Sequence, residues 1–183
     1  MRIAVMGTGG TGGYFGGLLA RAGEEVSFIA RGAHLEAIRQ NGLVIKSVLA
    51  GDFTFAASAT DNPNDIGPVD CVLFCVKAYD NAEAAEQIRP LIGPETIVLS
   101  VQNGIDNEEQ LGNAIGAERV VGCVSLVSST IESPGVIAQT GGPGKIILGE
   151  MQGGTSPRTE ALQRTLQNSN ITTELHTDIQ TAL

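Results

Sequence analysis

The sequence predicts an α/β domain of the doubly wound kind, with helices on both faces of a mostly parallel sheet and antiparallel strands added at an edge. Three observations predict it. Five short apolar runs rich in β-branched residues are separated mostly by stretches of helical period or by turn residues. The first run leads directly into Gly7-Thr8-Gly9-Gly10-Thr11-Gly12. Cys71-Val72-Leu73-Phe74-Cys75-Val76 is apolar without alternation, the pattern of a strand covered on both faces.

In chain order, residues 3–6 form the first strand. Residues 11–22 form the first helix, because Phe15, Leu18, Leu19 and Ala22 recur at helical spacing and Gly23 ends it. A strand over 26–30 and a helix over 33–40 follow, and residues 43–57 then interrupt the alternation as an inserted hairpin. The run 71–76 is the next strand, followed by a helix over 81–88 ended by Pro90, a strand over 96–101, a shorter helix over 107–115 and a strand over 120–127. Strand, helix, strand in this order implies parallel pairing through right-handed crossovers. Residues 136–138 and 145–148 flank Gly141-Gly142-Pro143-Gly144 and are expected to fold on each other as an antiparallel edge pair. Residues 156–168 predict a helix with Ser156 as N-cap and Pro157 in its first position. Thr177 or Asp178 then caps an apolar-periodic segment of little more than one turn, 179–183, too short to be stable alone.

Composition narrows the function. A net charge of -9, from 20 acidic and 11 basic side chains, disfavours binding to nucleic acid, so any anion site has to be local. A hydrophobic share of 42% excludes disorder, and the 24 glycines show no Gly-x-y period. Three cysteines lie inside apolar stretches without framework spacing, which fits a reducing compartment. No apolar run reaches the ~18 residues of a membrane span, and the N-terminal run is too short for a signal peptide. The expectation is a soluble, cytoplasmic protein with neither nucleic-acid nor membrane partners.

The run Gly7 to Gly12 fits G-x-G-x-x-G between a strand and an amphipathic helix, the context in which that motif binds a dinucleotide. Gly7 permits the tight turn, Gly9 lets backbone N–H groups approach a pyrophosphate, and Gly12 lets helix and strand pack closely. Thr8, Gly10 and Thr11 complete the loop at the positive end of the helix dipole. The alternative is a flexible glycine loop. An NAD enzyme carries Asp or Glu at the end of the second strand, about 20 residues past the glycines. Here that end reads Phe28-Ile29-Ala30-Arg31, and Glu24 and Glu25 lie at the other end of the strand. An arginine can grip a 2′-phosphate that a carboxylate would repel, so Arg31 favours NADP(H), unless it is a solvated loop cation.

Two more strand ends carry polar residues toward the same predicted crevice. Lys77 ends the run 71–76 and would meet negative charge on cofactor or substrate; its alternative is an exposed cap. Asn103, in Gln102-Asn103-Gly104 after 96–101, would offer an amide to a carboxamide, hydroxyl or carbonyl; its alternative is a turn dipeptide. Cys71 and Cys75 share one strand face and read as packing. His34 and His176 have no ligand cluster in the sequence, so no metal site is expected. No Gly-x-Ser-x-Gly elbow points to a hydrolase.

Together, Gly7 to Gly12, Ala30-Arg31-Gly32 with His34-Leu35 and Ala37-Ile38, Phe74-Cys75-Val76-Lys77-Ala78, and Gln102-Asn103-Gly104 resemble the N-terminal half of 2-dehydropantoate 2-reductase, the ketopantoate reductase family. The resemblance implies a Rossmann-type cofactor domain and NADPH-dependent reduction of 2-dehydropantoate to pantoate, toward pantothenate and coenzyme A. It implies that Lys77 lies beside the cofactor and that Asn103 touches both nicotinamide ribose and substrate. It places the general-acid lysine in a Trp-x-Lys helix of a second, all-helical domain, so none of these 183 residues is expected to be that acid. The expected organisation is an NADP-binding domain over 1–175 and, over 176–183, the start of a truncated linker helix to that domain. A chain lacking it is expected to bind NADP(H) but reduce the keto acid poorly, and to expose apolar surface near its C-terminus through which a homodimer could form. Two other readings stand beside this one: an NADP-binding sensor without catalysis, and a paralogous reductase of another 2-keto acid.

Overall fold

The computed structural model describes residues 1–102, 104 and 106–183. The chain opens with β1 (Arg2–Met6), α1 (Gly10–Arg21), β2 (Glu25–Ile29) and α2 (Gly32–Asn41), followed by three short strands, β3 (Leu43–Ser47), β4 (Phe53–Phe55) and β5 (Ser58–Thr60). Then come β6 (Val69–Phe74), α3 (Asn81–Gln87), β7 (Ile92–Ser100) and α4 (Asn107–Ile115). Two long strands, β8 (Val120–Ser133) and β9 (Val136–Glu150), precede α5 (Pro157–Asn168) and β10 (Thr172–Leu175). One sheet joins them in the order β4-β3-β9-β8-β7-β6-β1-β2-β5, with β10 pairing β9 outside that path. β5, β2, β1, β6, β7 and β8 are parallel; the antiparallel pairs are β3 with β4 and β8 with β9.

The central strands are apolar on both sides because both sides are covered. Ile3 and Val5 of β1, Cys71 and Leu73 of β6, and Ile97 and Leu99 of β7 join one core with Phe15 and Leu19 of α1, Leu35 and Ile38 of α2, and Leu162 and Leu166 of α5. The intervening Ala4, Met6, Val72, Phe74 and Val98 join a second core with Ala84 and Ala85 of α3 and Leu111 of α4. Successive residues of a strand point to opposite faces, so one apolar run serves two cores. The doubly wound class predicted by the sequence is the observed one.

The inserted hairpin over 43–57 is present as β3 and β4. The proposed pairing of 136–138 with 145–148 is not. Those residues belong to a single strand, β9, which pairs along its length with β8: Ile137 lies opposite Ile131, and Leu148 opposite Cys123. The chain reverses earlier, at Pro134 and Gly135, where Gly135 has φ 79°. The glycines between 141 and 144 lie beside register shifts around Ser128, where they bend the strand at a bulge instead of reversing it. At α5, Ser156 Oγ accepts from the Thr159 amide at 3.3 Å and the Thr159 hydroxyl accepts from the Ser156 amide at 3.0 Å, a reciprocal cap of the first turn. Residues 179–181 form one 3-10 turn preceded by Asp178, whose side chain makes no cap. Among the described residues no helix is long and apolar enough to cross a membrane.

Candidate functional site

The sheet reverses direction beside β1. β2 and β5 lie on one flank of β1, and β6 lies on the other. Open α/β sheets bind ligands outside the carboxyl ends of their strands at such a switch point. Here the carboxyl end of β1 is the glycine loop, and that of β6 is the segment 75–77. A cavity of about 280 Å³ lies between them, lined by Gly7, Thr8, Gly9, Arg31, His34 and Val76 among others.

Each glycine of the loop has a distinct reason to be there. Gly7 has φ 96°, and a Cβ on it would lie 3.0 Å from the Val76 amide nitrogen, so the turn fits under the β6 segment only without a side chain. Gly12 faces β1: a Cβ there would press on the Gly7 carbonyl and lie 2.9 Å from Val5 Cγ1. Gly10 packs against the backbone of Ser129 and Thr130, so the β8 strand crosses the start of α1. At Gly9 a Cβ would meet nothing within 4 Å. That open space is where a phosphate would approach the N-terminus of α1, whose first turn has no capping side chain and no acidic residue. Thr8 is buried, its hydroxyl donating to the Ile29 carbonyl at 2.9 Å, so its side chain ties the loop to β2. Thr11 sits in the first turn of α1 and is half-buried.

Arg31 is the N-cap residue of α2 and lines the same cavity from the β2 side. Its side chain is 69% exposed, with the guanidinium 3.8 Å from Asp80, so it is available to a ligand. Asp61, Asp80 and Glu83 also line the cavity. His34, one turn into α2, accepts a hydrogen bond on Nδ1 from the Gly135 amide at 2.9 Å. Burial pushes its imidazole below the usual histidine range, with the Thr8 backbone pulling the other way. The two histidines take part in no metal-type cluster among the described residues. Burial holds the Cys71 thiol up to about 12 and Cys75 higher still, which leaves both protonated packing groups.

Lys77 is exposed and caps the 3-10 turn 78–80 just past β6. Asn103 lies outside the described residues. On either side of it stands an amide network that the sequence did not disclose: Gln102, Asn81 and Asn107 join β7 to the first residues of α3 and α4. An asparagine opening a helix reads as a local cap, and its real partners are 21 and 26 residues away.

Residues 3–153 match the family model described as ketopantoate reductase PanE/ApbA. The chain belongs to this family. The 2-dehydropantoate 2-reductase of Pyrococcus abyssi is 33% identical over 179 residues, covering 98% of this chain and 57% of that protein. An uncharacterized oxidoreductase, YkpB of Bacillus subtilis, is 32% identical over 163 residues, covering 89% of this chain and 53% of that protein. The crystal structure of 2-dehydropantoate 2-reductase from Geobacter metallireducens superposes with a TM-score of 0.92 at 38% identity, covering all of this chain and 60% of that one. D-mandelate dehydrogenase with NADH, at 23% identity and a TM-score of 0.84 over 96% of this chain and 57% of that one, shares the fold. The chain thus spans between 53% and 62% of the length of the curated relatives it matches. What aligns is the portion carrying the glycine loop.

Proposed function

We propose that this chain is the NADP(H)-binding portion of a reductase that converts a small 2-keto acid, of the 2-dehydropantoate class, to its 2-hydroxy acid. The observation that carries the proposal is the open space at Gly9, between an uncapped helix N-terminus and the exposed guanidinium of Arg31. In this reading residues 1–175 are the cofactor domain and 176–183 begin the connection to a helical domain. Backbone N–H groups of Gly9 to Gly12 hold the pyrophosphate, and Arg31 pairs with the 2′-phosphate. Lys77 places a cation at the carboxyl end of β6, beside the nicotinamide half, and Asn103 offers its amide to the nicotinamide ribose and the keto acid. When bound, NADPH supplies the hydride. Reduction of a ketone builds negative charge on its oxygen, which a nearby acid must protonate. The resemblance assigns that proton to a lysine in the part of the relatives this chain does not span.

Calorimetric titration with NADPH and NADH tests the reading. Saturable NADPH binding, at least about tenfold tighter than NADH, is expected. Equal affinities would remove Arg31 as a 2′-phosphate reader, and no binding of either would end the cofactor assignment. With 2-dehydropantoate added, NADPH absorbance is expected to fall far more slowly than with a two-domain reductase.

A further inference from the structure

We propose that Asn81 is a positioning residue for the nicotinamide side of the cofactor crevice, acting through Gln102 on the Val76 peptide. Asn81 is 3% exposed and uses both ends of its amide. Its Oδ1 accepts from Gln102 Nε2 at 2.7 Å; its Nδ2 donates to Asn107 Oδ1 at 2.9 Å and to Gln110 Oε1 at 3.2 Å. Gln102 Nε2 also donates to the Val76 carbonyl at 2.6 Å, and Asn107 Nδ2 donates to the Gly104 carbonyl at 3.3 Å. One buried amide therefore links three pieces of chain at the carboxyl edge of the sheet: the segment after β6, the segment after β7, and the start of α4.

The Val76 end of this chain reaches the cofactor loop directly. Val76 lines the cavity, and its amide nitrogen is what a Cβ on Gly7 would strike at 3.0 Å. The next residue is Lys77. The Val76 carbonyl that Gln102 holds belongs to the peptide leading into Lys77, so fixing it sets the point from which the lysine departs, whereas the nitrogen facing Gly7 belongs to the preceding peptide, in a segment that the Cys75 amide ties to the Met6 carbonyl at 2.8 Å. In a low-dielectric setting a buried amide bonded at both ends, as Asn81 is, holds its neighbours firmly, and the hold loosens when one donor is lost; Gln102 Oε1 is buried without a partner among the described residues, so Gln102 is held through its Nε2 alone. Asn81 touches neither the glycine loop nor Arg31, so its influence falls on the β6 and β7 side of the crevice.

This inference rests on the proposed cofactor site, and its test separates the two. Asn81→Asp keeps the acceptor for Gln102 but turns the donor toward Asn107 and Gln110 into an oxygen; Asn81→Leu removes both functions. Each variant is titrated with NADPH and with adenosine 2′,5′-bisphosphate, which carries only the half of the cofactor that the glycine loop and Arg31 would bind. NADPH affinity is expected to fall at least about fivefold while the half-cofactor stays within about twofold. Equal losses for both ligands would mean that Asn81 only supports the fold, and unchanged NADPH affinity would mean that it positions nothing; either result overturns the inference. Should thermal melting show the Asn81 variants unfolded, Gln102→Leu, which cuts the same network at Val76, has to give the same split. A wild-type chain that binds the half-cofactor but gains nothing from the nicotinamide half overturns this inference alone, whereas one that binds neither overturns the cofactor site beneath it.

Discussion

The Gly135 amide donates to His34 Nδ1 at 2.9 Å, pinning the turn between β8 and β9 to a helix 101 residues earlier in the chain. The contact requires a neutral imidazole, because a protonated Nδ1 would present an N–H to an N–H. Burial lowers the native pKa of His34 relative to its free value of 6.5, so the unfolded chain takes up the proton more readily. The stability from this contact is complete above the unfolded pKa and is lost as pH falls from there toward the lowered native value. His34→Ala is expected to cost about 0.5–1.5 kcal/mol near pH 7.5. Between about pH 7.5 and pH 5, urea melts should show wild-type stability falling more steeply than that of the variant; parallel curves would mean His34 is not the source.

Gly9 and Gly12 separate binding from folding. Gly9 has φ -86° and ψ -161°, an extended conformation open to alanine, and its missing Cβ faces empty space. Gly9→Ala is expected to change stability by less than about 1 kcal/mol. It should nonetheless weaken NADPH binding about tenfold or more, since its methyl stands where the phosphate would lie. Gly12→Ala pushes a methyl between Val5 and the Gly7 carbonyl and is expected to destabilise the fold by about 1–3 kcal/mol. Chemical melts and NADPH calorimetry on both proteins check the contrast. Wild-type NADPH affinity in Gly9→Ala would show that the pyrophosphate does not lie over that loop.

The glycine loop was legible because a turn, a close helix–strand contact and an open face, demanded at Gly7, Gly12 and Gly9, recur at a fixed spacing that a motif records. The two-sided burial of β6 was legible for the same reason: an unbroken apolar run leaves few alternatives. The hairpin of β8 and β9 was not. Gly141 to Gly144 carry the residues of a reversal, and what turned them into a bulge was pairing with Leu126 to Ser129, a tertiary match with no local mark. The network of Asn81 and Gln102 was hidden likewise, because an amide side chain carries no sign of which distant carbonyl it will meet. The relation of Asp80 to Arg31 was hidden too, since it exists only once β6 and β2 lie on opposite flanks of β1.

That relation yields a prediction about the coenzyme. Asp80 lies 3.8 Å from Arg31, and the arginine side chain is exposed while the aspartate is half-buried, so this long pair contributes little to stability. Its carboxylate would compete with a 2′-phosphate for the guanidinium and repel the phosphate as well. Asp80→Asn is expected to leave stability within about 0.5 kcal/mol while tightening NADPH binding about two- to fivefold, with NADH little changed. Arg31→Asp should do the reverse, weakening NADPH much more than NADH. Calorimetry with both coenzymes decides it, and equal losses in Arg31→Asp would mean that another group reads the phosphate.

The end of β9 is tied to α5 by charge. Arg158 donates from Nε to Glu150 Oε1 at 2.8 Å and from Nη2 to Oε2 at 2.5 Å, and the Ser156 hydroxyl donates to Oε1 at 2.5 Å. The Arg158 guanidinium, followed by Ser156, holds the Glu150 carboxyl below its usual range, against the opposing effect of burial. Its stabilisation is therefore present above the unfolded carboxyl pKa of 4.5 and is lost as pH falls through the lowered native value. Two parallel charge-assisted bonds at a side chain only 13% exposed are worth more than a surface pair, so Glu150→Ala is expected to cost about 1–3 kcal/mol at neutral pH. Neither residue lines the glycine-loop cavity, so NADPH affinity should stay within about twofold of wild type. In a double-mutant cycle with Arg158→Ala, most of the Glu150 loss should disappear once the arginine is gone. If Glu150→Ala costs as much without Arg158 as with it, the carboxylate acts through the Ser156 cap of α5, and the ion pair contributes nothing of its own.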